Sequence, residues 1–284
     1  MTDDRGRLRE LGLRYDCDPG RLPSALVRRF VRLELGEEGQ EYIERALTTR
    51  PGKAKTALHR MLRTWMSDFD VNGLLDMYPM HLLGTSQWRD LLGSEPGRRH
   101  LDVGAGSGDV TRTIAPLVGA TVTTETSRVM ARNLRRNGFQ CYETDVAQSE
   151  VPEPRYDLVT CLNVLDRCAR PRSLLSNLAS ALEPGGRLVL ATPFPFDPFV
   201  YDGPESVDPV ERLDIPEGAW EPSVARLAED VLALGLAVEA VSRVPYLCRG
   251  DAERPLYVLD DALLVCRKPR LEDRSSHPGG RPGA

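Results

Sequence analysis

The segment LDVGAGSGDV, residues 101–110, constrains the fold more than any other stretch of this 284-residue chain. It joins an apolar run that reads as a strand, HLDV, to one that reads as a helix, DVTRTIAPLV. Glycine at 104 and 106 permits a tight turn and lets a ligand approach the backbone. Strand, glycine-rich turn and helix in that order bring the strand's carboxyl end and the helix's amino end to one spot. Asp109 is expected to cap the helix that starts at Val110. The alternation continues downstream. ATVTTE, QCYETD, YDLVTCL and RLVLAT read as strands, and SRVMARNLRRN and PRSLLSNLASALE as helices. The helix EPSVARLAEDVLALG follows, then two late strands, AVEAVSRVPYL and YVLDDALLVCR. Such alternation predicts an α/β fold: a doubly wound, largely parallel Rossmann-like sheet over residues 96–270.

Residues 1–95 read differently, as a helical N-terminal segment that would cover the active site. AKTALHRMLRTWMSDF repeats Leu58, Leu62, Trp65, Met66 and Phe69 at helical spacing, a pattern expected to pack as core. Leu26, Phe30, Leu33 and Leu35 suggest a shorter helix, Asn72-Gly73 and Pro79 a loop, and Ser86–Leu92 a helix. Gln87 and Trp88 attract notice without suggesting a mechanism. After the fifth core strand comes PFPFDPFVYDGPESVDP, whose aromatic residues could form either a groove wall or a lid. The Gly/Pro-rich tail at 271–284 is expected to be disordered.

Thirty-seven basic residues against 42 acidic ones give a net charge of −5, which argues against nucleic acid as the main partner and suits a basic peptide. The six cysteines form no CxxC pair and no zinc spacing, so a reducing compartment, the cytoplasm, and no structural metal are expected. There is no signal-like apolar core at the N-terminus and no apolar run near the ~20 residues that cross a membrane. A monomer is expected.

The glycine spacing separates two ligand classes. A dinucleotide site reads GxGxxG, with the third glycine seating the helix. Here Gly104, Gly106 and Gly108 give GxGxG, and Asp109 stands where that third glycine would be. Asp102, at the strand end, suits a cationic sulfonium or an amine better than a pyrophosphate. Glu125, about 20 residues on, ends the second strand, where a carboxylate holds ribose hydroxyls. Asp145 ends the third and could meet an adenine edge. The expected cofactor is S-adenosylmethionine, bound by Asp102, Gly104, Gly106, Glu125, Asp145 and Asn163.

At the fourth core strand the sequence reads YDLVTCLNVLDRCARPRSLL. With FDVNGLL, LDVGAGSGDVT, ATPFPFDPFV, RVPYLCRGD and YVLDDALLV, it resembles the DREV family, the methyltransferase-like-nine group of protein-histidine N-methyltransferases. The resemblance runs from about Phe69 to Lys268. It implies methyl transfer to the Nδ1 (pros) nitrogen of histidine in His-x-His motifs of a protein or peptide substrate. It also implies that Asp102, Gly104 and Glu125 bind the cofactor, and that Asn163, Asp166 and Tyr257 grip the target imidazole. The chemistry is consistent with this. A neutral imidazole is nucleophilic near neutral pH, so the protein needs chiefly to choose its tautomer and hold it in line. A carboxylate accepting Nε2–H, assigned to Asp166, leaves the Nδ1 lone pair free. Asp166 could instead simply pair with Arg167 or cap the helix at Pro171. A small imidazole compound or short precursor peptide as acceptor, and a cofactor-binding module without activity, are the competing functions.

Overall fold

The computed structural model describes residues 11–49, 51–93, 97–152 and 155–270; the expected tail at 271–284 lies outside them. An eight-stranded sheet runs in the order β1-β9-β10-β6-β5-β2-β3-β4. Its strands are β1 (Met80–His81), β2 (Arg99–Val103), β3 (Ala120–Glu125), β4 (Gln140–Glu143), β5 (Tyr156–Leu162), β6 (Leu182–Pro193), β9 (Ala237–Arg249) and β10 (Leu256–Arg267). Strands β6, β5, β2, β3 and β4 are parallel, while β10, β9 and β1 join antiparallel. A separate hairpin pairs β7 (Val200–Asp202) with β8 (Glu205–Val207). The doubly wound sheet is thus the one the alternating sequence requires.

Alternate strand residues face opposite helical layers. Val159, Leu188, Leu190 and Leu264 pack with α8 (Pro171–Ala181) and α9 (Trp220–Ala233). Leu158, Val189, Val244 and Leu263 pack with Trp88 of α5 (Thr85–Leu92) and Ile114 of α6 (Thr111–Ile114). Strands buried on both faces read as near-continuous apolar runs, as YDLVTCL and RLVLAT do. Cys161 and Cys266 are fully buried within these layers, as small hydrophobes. No helix among the described residues is long and apolar enough to cross a membrane.

The N-terminal segment departs most from its sequence pattern. It holds α1 (Ser24–Val27), α2 (Glu37–Thr48), α3 (Lys53–Leu62) and α4 (Asp68–Leu75), but it also supplies β1 to the sheet edge, and Phe30 bridges to Val241 of β9. The segment 1–95 is therefore woven into the sheet and is not only helical. The stripe from Leu58 to Phe69 does not form one helix. Ser67 begins a new one, its Oγ accepting from Asp70 N at 3.1 Å. On α3 it is Thr56 and His59 that are buried, while Leu58, Met61 and Trp65 are exposed, Trp65 by 70%. Asn72-Gly73 lies inside α4, not in a loop, because the Asn72 side chain is engaged by His59 at 2.7 Å and donates to Asp68 at 2.8 Å. The helix after the glycine loop is also shorter than expected. It gives way to a 3-10 turn at Ala115–Leu117, where Pro116 has no N–H for the carbonyl of Arg112. Trp88 and Gln87 are structural: Trp88 is buried and donates to Thr113 at 3.0 Å, and Gln87 ties Gly84 to Glu34.

The turn from β9 into β10 admits no side chain at Gly250, where a Cβ would lie 1.8 Å from the Arg254 carbonyl oxygen. Gly250→Ala must therefore break the turn's two backbone hydrogen bonds, Gly250 to Pro255 and Asp251 to Arg254. We expect a loss of about 2–4 kcal/mol, seen as a melting temperature lower by roughly 4–12 °C. An unchanged melting temperature would contradict this turn geometry.

Candidate active site

The strand order reverses between β2 and β5, the position where open α/β sheets bind ligands beyond their strand ends. A cleft opens there, with about 960 Å³ of space including its open mouth. Its lining comes from the ends of β2, β3 and β5, the glycine loop, and Phe69, Asn72 and Tyr78 of the N-terminal segment.

The cofactor side is fully hydrogen-bonded. Gly104 and Ala105 donate to the Thr124 carbonyl at 3.0 and 3.2 Å. Gly104 has φ +69°, and a Cβ there would lie 2.5 Å from Val164. Gly106 has φ +57°, and a Cβ there would enter open space; the loop is a cradle at this point. Glu125 receives Gly106 N at 2.9 Å, Thr126 N at 2.8 Å and Ser127 N at 3.0 Å. Burial pushes its carboxyl pKa up while these donors pull it down. The carboxylate thus fixes the loop and still lines the cleft, where it can take a ribose hydroxyl. Asp102 forms part of the floor. Its oxygens accept from Thr111 and Thr160, each at 2.6 Å, and Thr160 contacts the buried His100 at 2.8 Å. These partners were not anticipated from the sequence. A buried acid at a strand end does predict donors around it. Asp109 does not cap a helix. It receives Ser107 Oγ at 2.5 Å and Arg112 at 2.9 Å, because the helix starts later, at Thr111. Asp145 is not brought into the cleft lining. Its carboxylate binds Ala147 N and the Gln148 amide, closing the turn after β4.

The acceptor side is polar and incompletely paired. Asn163 follows β5 with φ +57°, its N–H donating to Ala191 at 2.8 Å. Its carboxamide borders the cleft, and neither polar atom has a hydrogen-bond partner among the described residues. Asp166 lies one layer behind, 2% exposed. Its Oδ2 pairs with Arg167 at 2.8 Å, while Oδ1 has no partner among the described residues. Burial raises its pKa and Arg167 opposes that. Arg167 also lines the cleft, with its guanidinium 3.9 Å from the Phe199 ring centroid. Tyr257 stands outside the lining, but its hydroxyl donates to Asp251 at 3.3 Å, beside that of Tyr78 at 3.2 Å; Tyr78 is the member of the pair that lines the cleft. The aromatic insert reaches the N-terminal segment, with Tyr201 edge-on to Phe69 at 5.3 Å and to Phe199 at 5.2 Å. The sequence reading gave Tyr78, Asn72 and Arg167 no part in the cleft. Each lies inside or next to one of the quoted motifs or Pro79, which is the only signal that could have found them.

Desolvation raises Asp102 to about 6, with the Thr111 and Thr160 hydrogen bonds opposing and Glu125 adding to the rise. A bound cation favours the ionised form, so cation binding expels a proton below pH 6 and tightens as pH rises. Affinity for S-adenosylmethionine, measured by calorimetry, should therefore increase from pH 5 to pH 7. In Asp102→Asn this dependence should flatten. Equal pH slopes for the two proteins would remove Asp102 from cation binding.

Among curated proteins, the chain is 32% identical over 139 residues to the ubiquinone biosynthesis O-methyltransferase of Alkalilimnicola ehrlichii, covering 46% of this chain and 54% of that protein. It is 27% identical over 161 residues to the highly reducing polyketide synthase sthA of Phaeosphaeria nodorum, covering 49% of this chain and 6% of that one. The chain thus spans about half the length of the first and a small part of the second. Of solved structures, the DhpI–SAH complex is similar at 21% identity and TM-score 0.46, over 65% of this chain and 83% of that one. The N-methyltransferase NodS of Bradyrhizobium japonicum is similar at 20% identity and TM-score 0.43, over 66% and 94%. The family profile of DREV methyltransferases matches residues 14–268, so it begins well upstream of Phe69 and takes in most of the N-terminal segment. With that match over nearly the whole described chain, the protein belongs to the DREV methyltransferase family.

Proposed function

We propose that the protein methylates the Nδ1 (pros) nitrogen of histidine, in His-x-His sequences of a protein or peptide. The observation that supports this reading is the pair of buried, unpartnered polar groups at the end of β5, the Asn163 carboxamide and Asp166 Oδ1. Buried polar atoms normally have partners; those left open beside a cleft suit a ligand that supplies them. An imidazole supplies one N–H donor and one lone pair, and the two need opposite surroundings.

S-adenosylmethionine supplies an electrophilic methyl group when bound, and its thioether product leaves without the positive charge. The protein's residues do the rest. Asp166 Oδ1 accepts Nε2–H, which fixes the tautomer and turns the Nδ1 lone pair toward the glycine loop. Arg167 keeps the other oxygen, Oδ2, in place. As the ring becomes an imidazolium, the carboxylate stabilises it. No strong base is needed, since the target ring is neutral above its ordinary pKa of about 6.5. Tyr78 and Tyr257, both bound to Asp251, form a polar rim that suits a peptide backbone. The chain's net charge of −5 favours a basic or neutral peptide over nucleic acid. We propose that it acts as a monomer in the cytoplasm.

Incubation with labelled cofactor, His-x-His peptides and free histidine derivatives tests the substrate, and mass spectrometry against both methylhistidine standards tests the nitrogen. Pros-methylhistidine in peptide is expected. Methyl on lysine, arginine or a carboxylate would overturn the reading, and labelling of free imidazoles alone would replace the protein substrate with a small one. Asp166→Asn should lower turnover by about 30- to 1000-fold, corresponding to roughly 2–4 kcal/mol of lost transition-state contact. Affinity for S-adenosylhomocysteine should stay unchanged. Near-normal turnover would leave Asp166 as a simple partner of Arg167.

A further inference from the structure

Asp260 and Asp261 are adjacent on β10 and have opposite fates. Asp260 points to Arg243 and pairs with it through both oxygens, at 2.8 and 2.5 Å. Asp261 is fully buried, and neither of its oxygens has a well-formed hydrogen bond among the described residues. It lies in register with Pro193 of β6 and Val244 of β9. By strand alternation it shares the sheet face of Leu263 and Val265, which is also the face of Leu162 and Tyr246. Leu162 and Tyr246 both line the cleft.

A buried carboxyl group without a cation is costly to keep, and nothing in the strand's own packing needs it. One polar neighbour stands out. Asn163 bonds through its backbone N–H to Ala191 of β6, two residues from the Pro193 that stands opposite Asp261, and its carboxamide pulls the Asp261 carboxyl pKa down against the rise that burial imposes. Two groups without hydrogen-bond partners among the described residues therefore lie at the same end of β6, and Asn163 lines the cleft. Neutral or ionised, a carboxyl group keeps an oxygen that accepts from an amide.

We propose that Asp261 is a positioning residue for the acceptor: it takes the Nδ2–H of Asn163, so that the carboxamide oxygen faces the cleft. With Asn163 turned this way and Asp166 beside it, these two side chains offer oxygens to the acceptor. Such a pair suits an acceptor that carries an N–H and gains positive charge on methylation. The inference rests on the reading that Asn163 and Asp166 border the acceptor.

Asp261→Leu keeps the branched shape and the number of heavy atoms and removes the buried carboxyl group. We expect its melting temperature to hold or rise, because removing an unpaired buried acid relieves a desolvation cost. Its kcat/KM for the acceptor should fall by about 10- to 100-fold through misplacement of Asn163. A double-mutant cycle with Asn163→Ala supplies the decisive readout. In the Asn163→Ala background, Asp261→Leu should cause no further loss, whereas independent residues would give multiplying losses. If Asp261→Leu does not fold, Asp261→Ala, which also removes both oxygens, enters the same cycle with the same expectation. Full activity in the single variant, or multiplying losses in the cycle, overturns the proposal. The cycle can be run on whichever acceptor the wild-type protein methylates. Failure of the histidine reading, seen in the wild-type product, is thus separate from failure of the Asp261 assignment, seen in the cycle.

Discussion

One buried carboxylate joins the parts on which this site depends. Asp102 ends β2, and its two oxygens hold Thr160 of β5 and Thr111 of α6, each at 2.6 Å. The two central strands and the helix after the glycine loop are therefore fixed to one group. Hydrogen bonds to a charged group contribute about 1.5–3 kcal/mol each, and an unsupported buried carboxylate costs more than either alone recovers. The arrangement persists because both donors are present. Glu125 repeats the device one strand away, holding three backbone N–H groups of the loop and the next turn. Together the two acids set the shape of the cradle at Gly106.

The two halves of the cleft differ in kind. On the cofactor side almost every polar group has a protein partner. On the acceptor side Asn163, Asp166 and Asp261 carry buried atoms without well-formed hydrogen bonds. The positive φ of Asn163 belongs with this pattern, since strained backbone and unmet polar groups concentrate where a ligand is to be held. A preorganised cofactor half and an acceptor half completed by substrate accord with differential binding, in which the acceptor's contacts strengthen as charge develops.

Much of this could be read in the sequence, for identifiable physical reasons. The strands are short apolar runs between Gly and Pro stops, and the GxGxG spacing allows few conformations, so sheet, loop and helices follow from local pattern. Asp102, Gly104, Gly106, Glu125 and Asn163 fall in the cleft because strand ends in such a sheet converge there. What failed was long-range. Whether Leu58 and Trp65 are buried depends on a cap at Ser67 and on His59 finding Asn72, and neither partner is visible in a periodicity. Asp145 is a local case: it sits at a strand end, and its oxygens bind its own turn. Thr111, Thr160 and Asp261 became meaningful only when distant strands were side by side. The two aspartates in the apolar run of β10 were nevertheless a visible signal, because a buried acid there requires a partner.

The tautomer role proposed for Asp166 can be observed directly by nitrogen NMR of an isotope-labelled histidine acceptor. With S-adenosylhomocysteine present, the bound ring should carry its proton on Nε2, with Nδ1 unprotonated, and this preference should disappear in Asp166→Asn. A bound ring protonated on Nδ1, or one whose tautomer is the same in both proteins, would contradict it.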